Sequence, residues 1–206
     1  MNCAGHPNCV RDASQQWGSS RGRAENCCGE KTNEPRKNAE GGAPEVAKAT
    51  VVIETPIGSR NKYKYEEESG RMKLTKVMPE GMIFPYDFGY VPGARGEDGG
   101  PLDVLVLSDA PTFAGCALEC RLIGVLKAEP SEGGKKIRND RILAVADVSV
   151  LYSGVEELEN LDPTLLRQIE AFFVNYQKVR SVGYKILARA GFQAALKLKH
   201  SAKDAG

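Results

Sequence analysis

Apolar residues follow two rhythms along this chain: short strand-like runs through the middle and a helical spacing near the end. Val104-Leu105-Val106-Leu107 is uninterrupted, apolar and half β-branched, which predicts a strand buried on both faces. Lys62, Tyr63, Lys64 and Tyr65 alternate, as a strand with one wet face does. Further strands are predicted over 49–54, 72–77, 119–127 and 142–146, with a turn at 56–60 and a hairpin loop at 68–71. Residues 129–136 read as a polar, Gly-containing loop. Five or so short strands at close intervals predict a small closed sheet. Farther on, Asp162 suits a helix N-cap and Pro163 the first helical position. From there Leu165, Leu166, Ile169, Phe172, Phe173, Tyr176 and Val179 recur every three or four residues, predicting an amphipathic helix that ends near 181–183. A second, weaker helix is expected over 192–200. The fold class is therefore mainly β with flanking helices over residues 48–200.

Residues 1–47 are polar, with six basic residues balancing six acidic ones and few apolar residues to offset the entropy of ordering. They are expected to be a disordered extension, and 201–206 a short tail. Cys3, His6, Cys9, Cys27 and Cys28 lie in the extension at spacings that match no standard zinc site. Its first 24 residues hold three Arg and one acid, a weakly transit-peptide-like balance. Cys116 and Cys120 stand alone in the folded part, so a reduced, cytoplasmic chain is expected rather than a disulfide framework. The formal net charge of +1 gives no electrostatic case for nucleic acid or an anionic membrane. No apolar run approaches the ~18 residues of a membrane-crossing helix, and no apolar leader opens the sequence.

The chemistry is concentrated just before the apolar run. Phe84-Pro85-Tyr86-Asp87-Phe88-Gly89-Tyr90 leads to Asp98-Gly99-Gly100-Pro101-Leu102-Asp103. Gly99 and Gly100 permit a sharp turn and Pro101 fixes φ, so the turn brings Asp98 and Asp103 together at the mouth of a buried strand. Paired carboxylates repel unless a cation lies between them, and hard oxygen ligands favour Mg²⁺.

The stretch Asp98 to Val104 resembles the acidic signature of the single-domain, Mg²⁺-dependent soluble inorganic pyrophosphatases, Asp-x-Asp-Pro-x-Asp plus an apolar residue. The resemblance covers roughly 50–190. It includes Val52-Ile53-Glu54-Thr55-Pro56, Asn61-Lys62-Tyr63, the Phe84-to-Tyr90 aromatic segment and Ala171-Phe172-Phe173-Val174-Asn175-Tyr176. It implies a five-stranded OB-like closed barrel with two C-terminal helices, a homo-oligomer, and Mg²⁺-dependent hydrolysis of pyrophosphate to two phosphates. Carried over residue by residue, Asp98 and Asp103 match metal-binding aspartates, and Glu54 an acid of the metal-and-water network. Asp98 and Glu54 are thus the catalytic candidates. Lys62, Lys76, Arg141 and Tyr176 fall at phosphate-contacting positions.

The chain departs from that pattern at several points. Gly100 stands where the family has an aspartate that activates the attacking water, Lys64 where an acid is expected, and Asn139 where a metal-binding Asp is expected. Asp140 is one position out. Gln177 replaces a Lys, Phe84 and Phe88 replace tyrosines, and Glu129 and Glu132 are the only candidates for a further metal ligand in their loop. Two readings follow: a slow, divergent Mg²⁺-dependent pyrophosphatase, or a catalytically inactive relative that keeps anion binding or assembly.

Overall fold

The computed structural model describes residues 47–204, the side chains of 202–204 excepted. The extension and its zinc reading lie outside these residues. The elements are β1 (Lys48–Thr55), β2 (Asn61–Glu66), β3 (Arg71–Val77), β4 (Asp87–Arg95), β5 (Pro101–Leu107), β6 (Ala117–Glu132), β7 (Lys135–Lys136), β8 (Arg141–Ala146), α1 (Pro163–Val179), β9 (Gly183–Gly191) and α2 (Phe192–Asp204). A 3₁₀ turn at Leu158–Asn160 precedes α1.

Strands pair in the order β1-β4-β5-β8-β6, and β6 pairs back onto β1. This closes a five-stranded barrel with no free edge among those five, as the acidic-signature resemblance implied. β5 and β8 run parallel and the other barrel pairs antiparallel. β2 and β3 form a separate hairpin, and β9 adds to the outer part of β6.

The period of two divides the core. Val104 and Val106 of β5, with Ile142 and Ala144 of β8, pack with Val51, Ile53 and Ala195 of α2. Leu105, Leu107, Leu143 and Val145 point the other way, to Phe84, Phe88 and α1. Both faces of the apolar run are thus buried, as its composition predicts. Asp162 caps α1 by accepting from the Thr164 N–H at 2.6 Å, with Pro163 in the first turn. Leu166, Ile169, Phe173 and Tyr176 fill the buried stripe of α1, and full burial of such a side chain contributes about 1.5–3 kcal/mol.

Three expectations need correction. The polar stretch 129–136 is not a loop: β6 runs on to Glu132 and turns through Gly133 and Gly134, both at positive φ, into β7. Partners on β9 and β7 supply the backbone pairing that polar side chains alone did not announce. The second helix does not stop near residue 200; it continues to Asp204. The first helix ends at Val179, ahead of Ser181 at φ 59.

Candidate active site

The β4–β5 turn delivers the acidic signature to one end of the barrel. A small cavity there is lined by Glu97, Asp98, Asp103, Asn139 and Asp140 among others, with a free volume of about 10 Å³, room for one water-sized body. Asp98 and Asp103 therefore converge, and the Asp98 carboxylate adds to the cost of charging Asp103. Asp98 is exposed. Its Oδ2 accepts from Asn139 Nδ2 at 2.7 Å, and its Oδ1 from the Gly100 N–H at 3.1 Å. Asn139 thus anchors the aspartate with an amide instead of adding a carboxylate.

Asp103 lies deeper, beneath the hairpin. Burial pushes its carboxyl above the usual range, and Arg141 and then Lys62 pull it part of the way back. Arg141 Nη2 lies 3.7 Å from Asp103 Oδ2. The Arg141 side chain is buried by Phe173 and Tyr184, whose ring centres lie 4.7 and 5.4 Å from its Cζ. Its Nη1 donates to the Tyr184 hydroxyl at 2.6 Å and to the Asn139 carbonyl at 3.2 Å. Its Nε is buried and has no hydrogen-bond partner.

Glu54, at the end of β1, is buried. Burial drives its carboxyl upward, the Tyr65 N–H it accepts at 3.0 Å offsets part of this, and Asp103 adds to the rise. It stands behind the mouth and does not line the cavity formed by Asp98 and Asp103.

The β2–β3 hairpin supplies the cations. Lys62 and Lys64 share one face of β2 by the strand period. Lys76 is the cross-strand partner of Lys62. The Lys62 Nζ sits 4.9 Å from the Phe88 ring centre, 5.5 Å from Phe84 and 5.9 Å from Tyr176, contacts worth about 0.5–2 kcal/mol in sum or singly according to exposure. Burial against these rings lowers the Lys62 ammonium to about 8, with Asp103 opposing the fall. Tyr176 stacks on Phe172 at 6.1 Å with the planes 4° apart, so its ring forms a wall of the Lys62 cage. Phe84 and Phe88 serve packing and this cage together.

Asp140, one position out from Asn139, lines the same cavity with its carboxylate already engaged. Arg138 Nε donates to both its oxygens, at 2.9 and 3.1 Å, and the Ala128 N–H donates to Oδ1 at 3.2 Å. Gln177 is turned to Arg180, whose Nη1 donates to its Oε1 at 2.8 Å. Glu129 pairs with Lys136 at 3.4 Å. Sequence reasoning missed Tyr184, because β9 carries no strong alternation. It also missed Asp87, which is fully buried and accepts from the Ile57 N–H at 2.7 Å and the Ser108 hydroxyl at 3.2 Å, pinning the aromatic segment to the β1–β2 turn.

Among the described residues, no three of His, Cys, Asp and Glu converge closely enough to hold a metal ion. Of the four carboxylates that line the cavity, Glu97, Asp98, Asp103 and Asp140, the last is paired with Arg138, so the protein supplies no closed cage. An incomplete set of this kind suits Mg²⁺, which keeps several waters and uses one or two carboxylates plus substrate phosphates. No helix among the described residues is long and apolar enough to cross a membrane.

Comparison with known proteins agrees with this geometry. The family described as "Pyrophosphatase: Inorganic pyrophosphatase" matches residues 51–204. An inorganic pyrophosphatase of Methanosarcina acetivorans is 34% identical over 155 residues, covering 75% of this chain and 90% of the relative. The crystal structure of inorganic pyrophosphatase from Thermus thermophilus superposes with a TM-score of 0.72 at 28% identity, covering 80% of this chain and 94% of that one. The inorganic pyrophosphatase of Helicobacter pylori gives 0.71 at 29% identity, over 77% of this chain and 92% of that one. A shared barrel, a match over residues 51–204 and one-third identity in sequence have one explanation: the chain belongs to the inorganic pyrophosphatase family.

Proposed function

We propose that the chain hydrolyses inorganic pyrophosphate to two phosphates, slowly, with Mg²⁺ entering together with the substrate. The observation that carries this reading is the convergence of Asp98 and Asp103 on one cavity, with Arg141 and Lys62 beside Asp103. Asp98 and Asp103 would hold the cation, which supplies charge neutralisation on the phosphates and makes water a better nucleophile at neutral pH.

The chain's own residues do the rest. Arg141, fixed by Tyr184 and Asn139, presents a planar guanidinium to phosphate oxygens. Lys62 and Lys76 offer ammonium groups from the hairpin. The attacking water forms a P–O bond as the bridging P–O bond breaks, and its proton passes to Asp98, with the Glu54 carboxyl behind the mouth. Asp98 already accepts two hydrogen bonds, so the water competes for its oxygens. The slow rate follows from this competition and from the missing base at Gly100. Phosphate release from pyrophosphate, measured with Mg²⁺ and again with a chelator, tests the proposal; release that the chelator leaves unchanged counts against it.

The pH dependence has a defined sign. Lys62 is charged below about 8 in the free protein, so kcat/KM falls as pH rises through that value, because kcat/KM reports the free enzyme. In Lys62→Arg the side chain stays charged throughout, and the alkaline limb near 8 disappears. A limb that persists in Lys62→Arg assigns it to another group.

A second reading, anion binding without turnover, is favoured by the lack of a three-donor metal group among the described residues. We also propose a cytoplasmic homo-oligomer. Free thiols at Cys116 and Cys120 support a reduced compartment, and exposed Val148, Val150 and Leu151 on one loop support self-association.

A further inference from the structure

We propose that the barrel mouth binds condensed phosphates, with two adjacent phosphoryl groups, in the absence of any metal, and that Lys64 is the side chain that decides this. The inference deepens the reading above, since it concerns the same mouth.

The charges at the mouth are unevenly matched. Lys62, Lys64 and Lys76 line one face of the β2–β3 hairpin. Among the described residues the ion pairs of this hairpin are Lys73 with Glu66 and Arg60 with Glu80; the three mouth lysines have none. Lys64 is exposed, and its field reaches both Glu54 and Asp103 without a direct pair to either. Lys62 meets aromatic rings where a carboxylate partner would otherwise stand.

On the opposite wall Arg141 is 6% exposed, and its Nε is an unpartnered buried donor. Its contact with Asp103, at 3.7 Å, is looser than a hydrogen bond. Arg141 thus keeps one unmet hydrogen-bond donor beside its ion pair with Asp103, and an anion reaching that Nε would satisfy it.

The acids of the region are largely engaged. Asp98 is held by Asn139, Asp140 by Arg138, and Glu54 by the Tyr65 N–H. Lys62, Lys64 and Arg141 thus bear on Asp103, with Lys76 across the hairpin from Lys62, while the other carboxylates named here are already engaged. A diphosphate carries enough negative charge to be held by these groups directly, which a single phosphate does not. Lys64 and Lys76 are the two exposed lysines with no ring, backbone or side-chain partner among the described residues, and Lys64 matters most because it is the one whose charge reaches both Glu54 and Asp103. Its ammonium is free to close over the second phosphoryl group.

Calorimetric titration with pyrophosphate in EDTA tests this on the full chain. Imidodiphosphate with Mg²⁺ gives the metal-bound comparison without turnover. Wild type is expected to bind in EDTA. Lys64→Gln weakens that binding about 10-fold and Lys64→Glu about 100-fold, the scale of losing and then reversing a charge-assisted contact. Lys64→Arg returns it to within about 3-fold of wild type, and Lys127→Gln, outside the mouth, leaves it unchanged. In Mg²⁺ the loss in Lys64→Glu shrinks, because the new carboxylate is itself a cation ligand. An absence of binding in EDTA, or a Lys64→Glu affinity within about 2-fold of wild type, overturns the inference; the 2-fold bound lies below the effect of one such contact. Hydrolysis with Mg²⁺ but no binding in EDTA sinks this inference alone. Binding in EDTA with no hydrolysis under any condition sinks the enzymatic reading alone.

Discussion

Gly100→Asp is expected to speed phosphate release from pyrophosphate by on the order of 10- to 100-fold at saturating substrate. A positioned general base contributes about 10²–10⁴-fold, and the lower figure reflects the other absent acids at 64 and 139. The position accepts a side chain. Gly100 does not adopt the left-handed region, whereas its neighbour Gly99 does, at φ 76. A Cβ on residue 100 would lie 3.3 Å from Asp98 Oδ1 and 3.7 Å from its Cγ, so the new carboxyl would stand beside Asp98 at the cavity. Two like charges at that range push one carboxyl upward in pKa, toward the range of a useful base at neutral pH. The initial rate of phosphate release is the readout. A Gly100→Asp protein that folds and is no faster than wild type removes this position as the cause of slow turnover.

Gly89→Ala is expected to destabilise the fold by about 3 kcal/mol or more, the upper range for overpacking a rigid site. Gly89 faces Ile53 in the β1–β4 ladder. A Cβ there would lie 2.8 Å from the Val52 carbonyl carbon and 2.9 Å from Ile53 Cα, both backbone atoms. Neither strand can yield, because β1 is also held by β6 and β4 by β5. Urea denaturation should show a large drop in midpoint with an unchanged slope. Gly100→Ala is the companion control: its Cβ meets only a movable carboxylate, and its cost should stay under about 1 kcal/mol. Equal midpoints for Gly89→Ala and wild type would mean that β1 and β4 do not approach this closely in solution.

How far the fold could be read from the residues depended on how many faces each element buries. Val104 to Leu107 and residues 142–146 are buried on both sides, so unbroken apolar runs marked them. The helix after Asp162 buries one stripe and has its own cap, and its spacing marked it equally well. β9 buries little on either face; its order comes from backbone pairing with β6, which leaves no pattern in side chains. β4 was legible as an aromatic segment but not as a strand, since Pro92, Gly89 and Gly93 interrupt the alternation that a strand usually shows.

The site divides in the same way. Asp98 and Asp103 could be placed together because the Gly-Gly-Pro turn between them is local. The Asn139-to-Asp98 bond and the Tyr184–Arg141 contact join residues through the tertiary fold. Side-chain types along the chain say nothing about which of these donors reaches which acid. Lys64 was visible as a departure from the family pattern, which has an acid there. Its consequence needed the hairpin register, which sets it on the Lys62 face.

The proposed hydrolysis requires that Asp98 and Asp103 make one working acid pair at the barrel mouth. The most direct test is phosphate release from pyrophosphate with Mg²⁺ by wild type and by the Asp98→Asn/Asp103→Asn double variant, expressed and purified in parallel so that host enzyme contributes equally to both. Slow release by wild type is expected to exceed that of the double variant at least about 10-fold, the scale of transition-state charge stabilisation lost with the pair. Equal rates in the two preparations would contradict it.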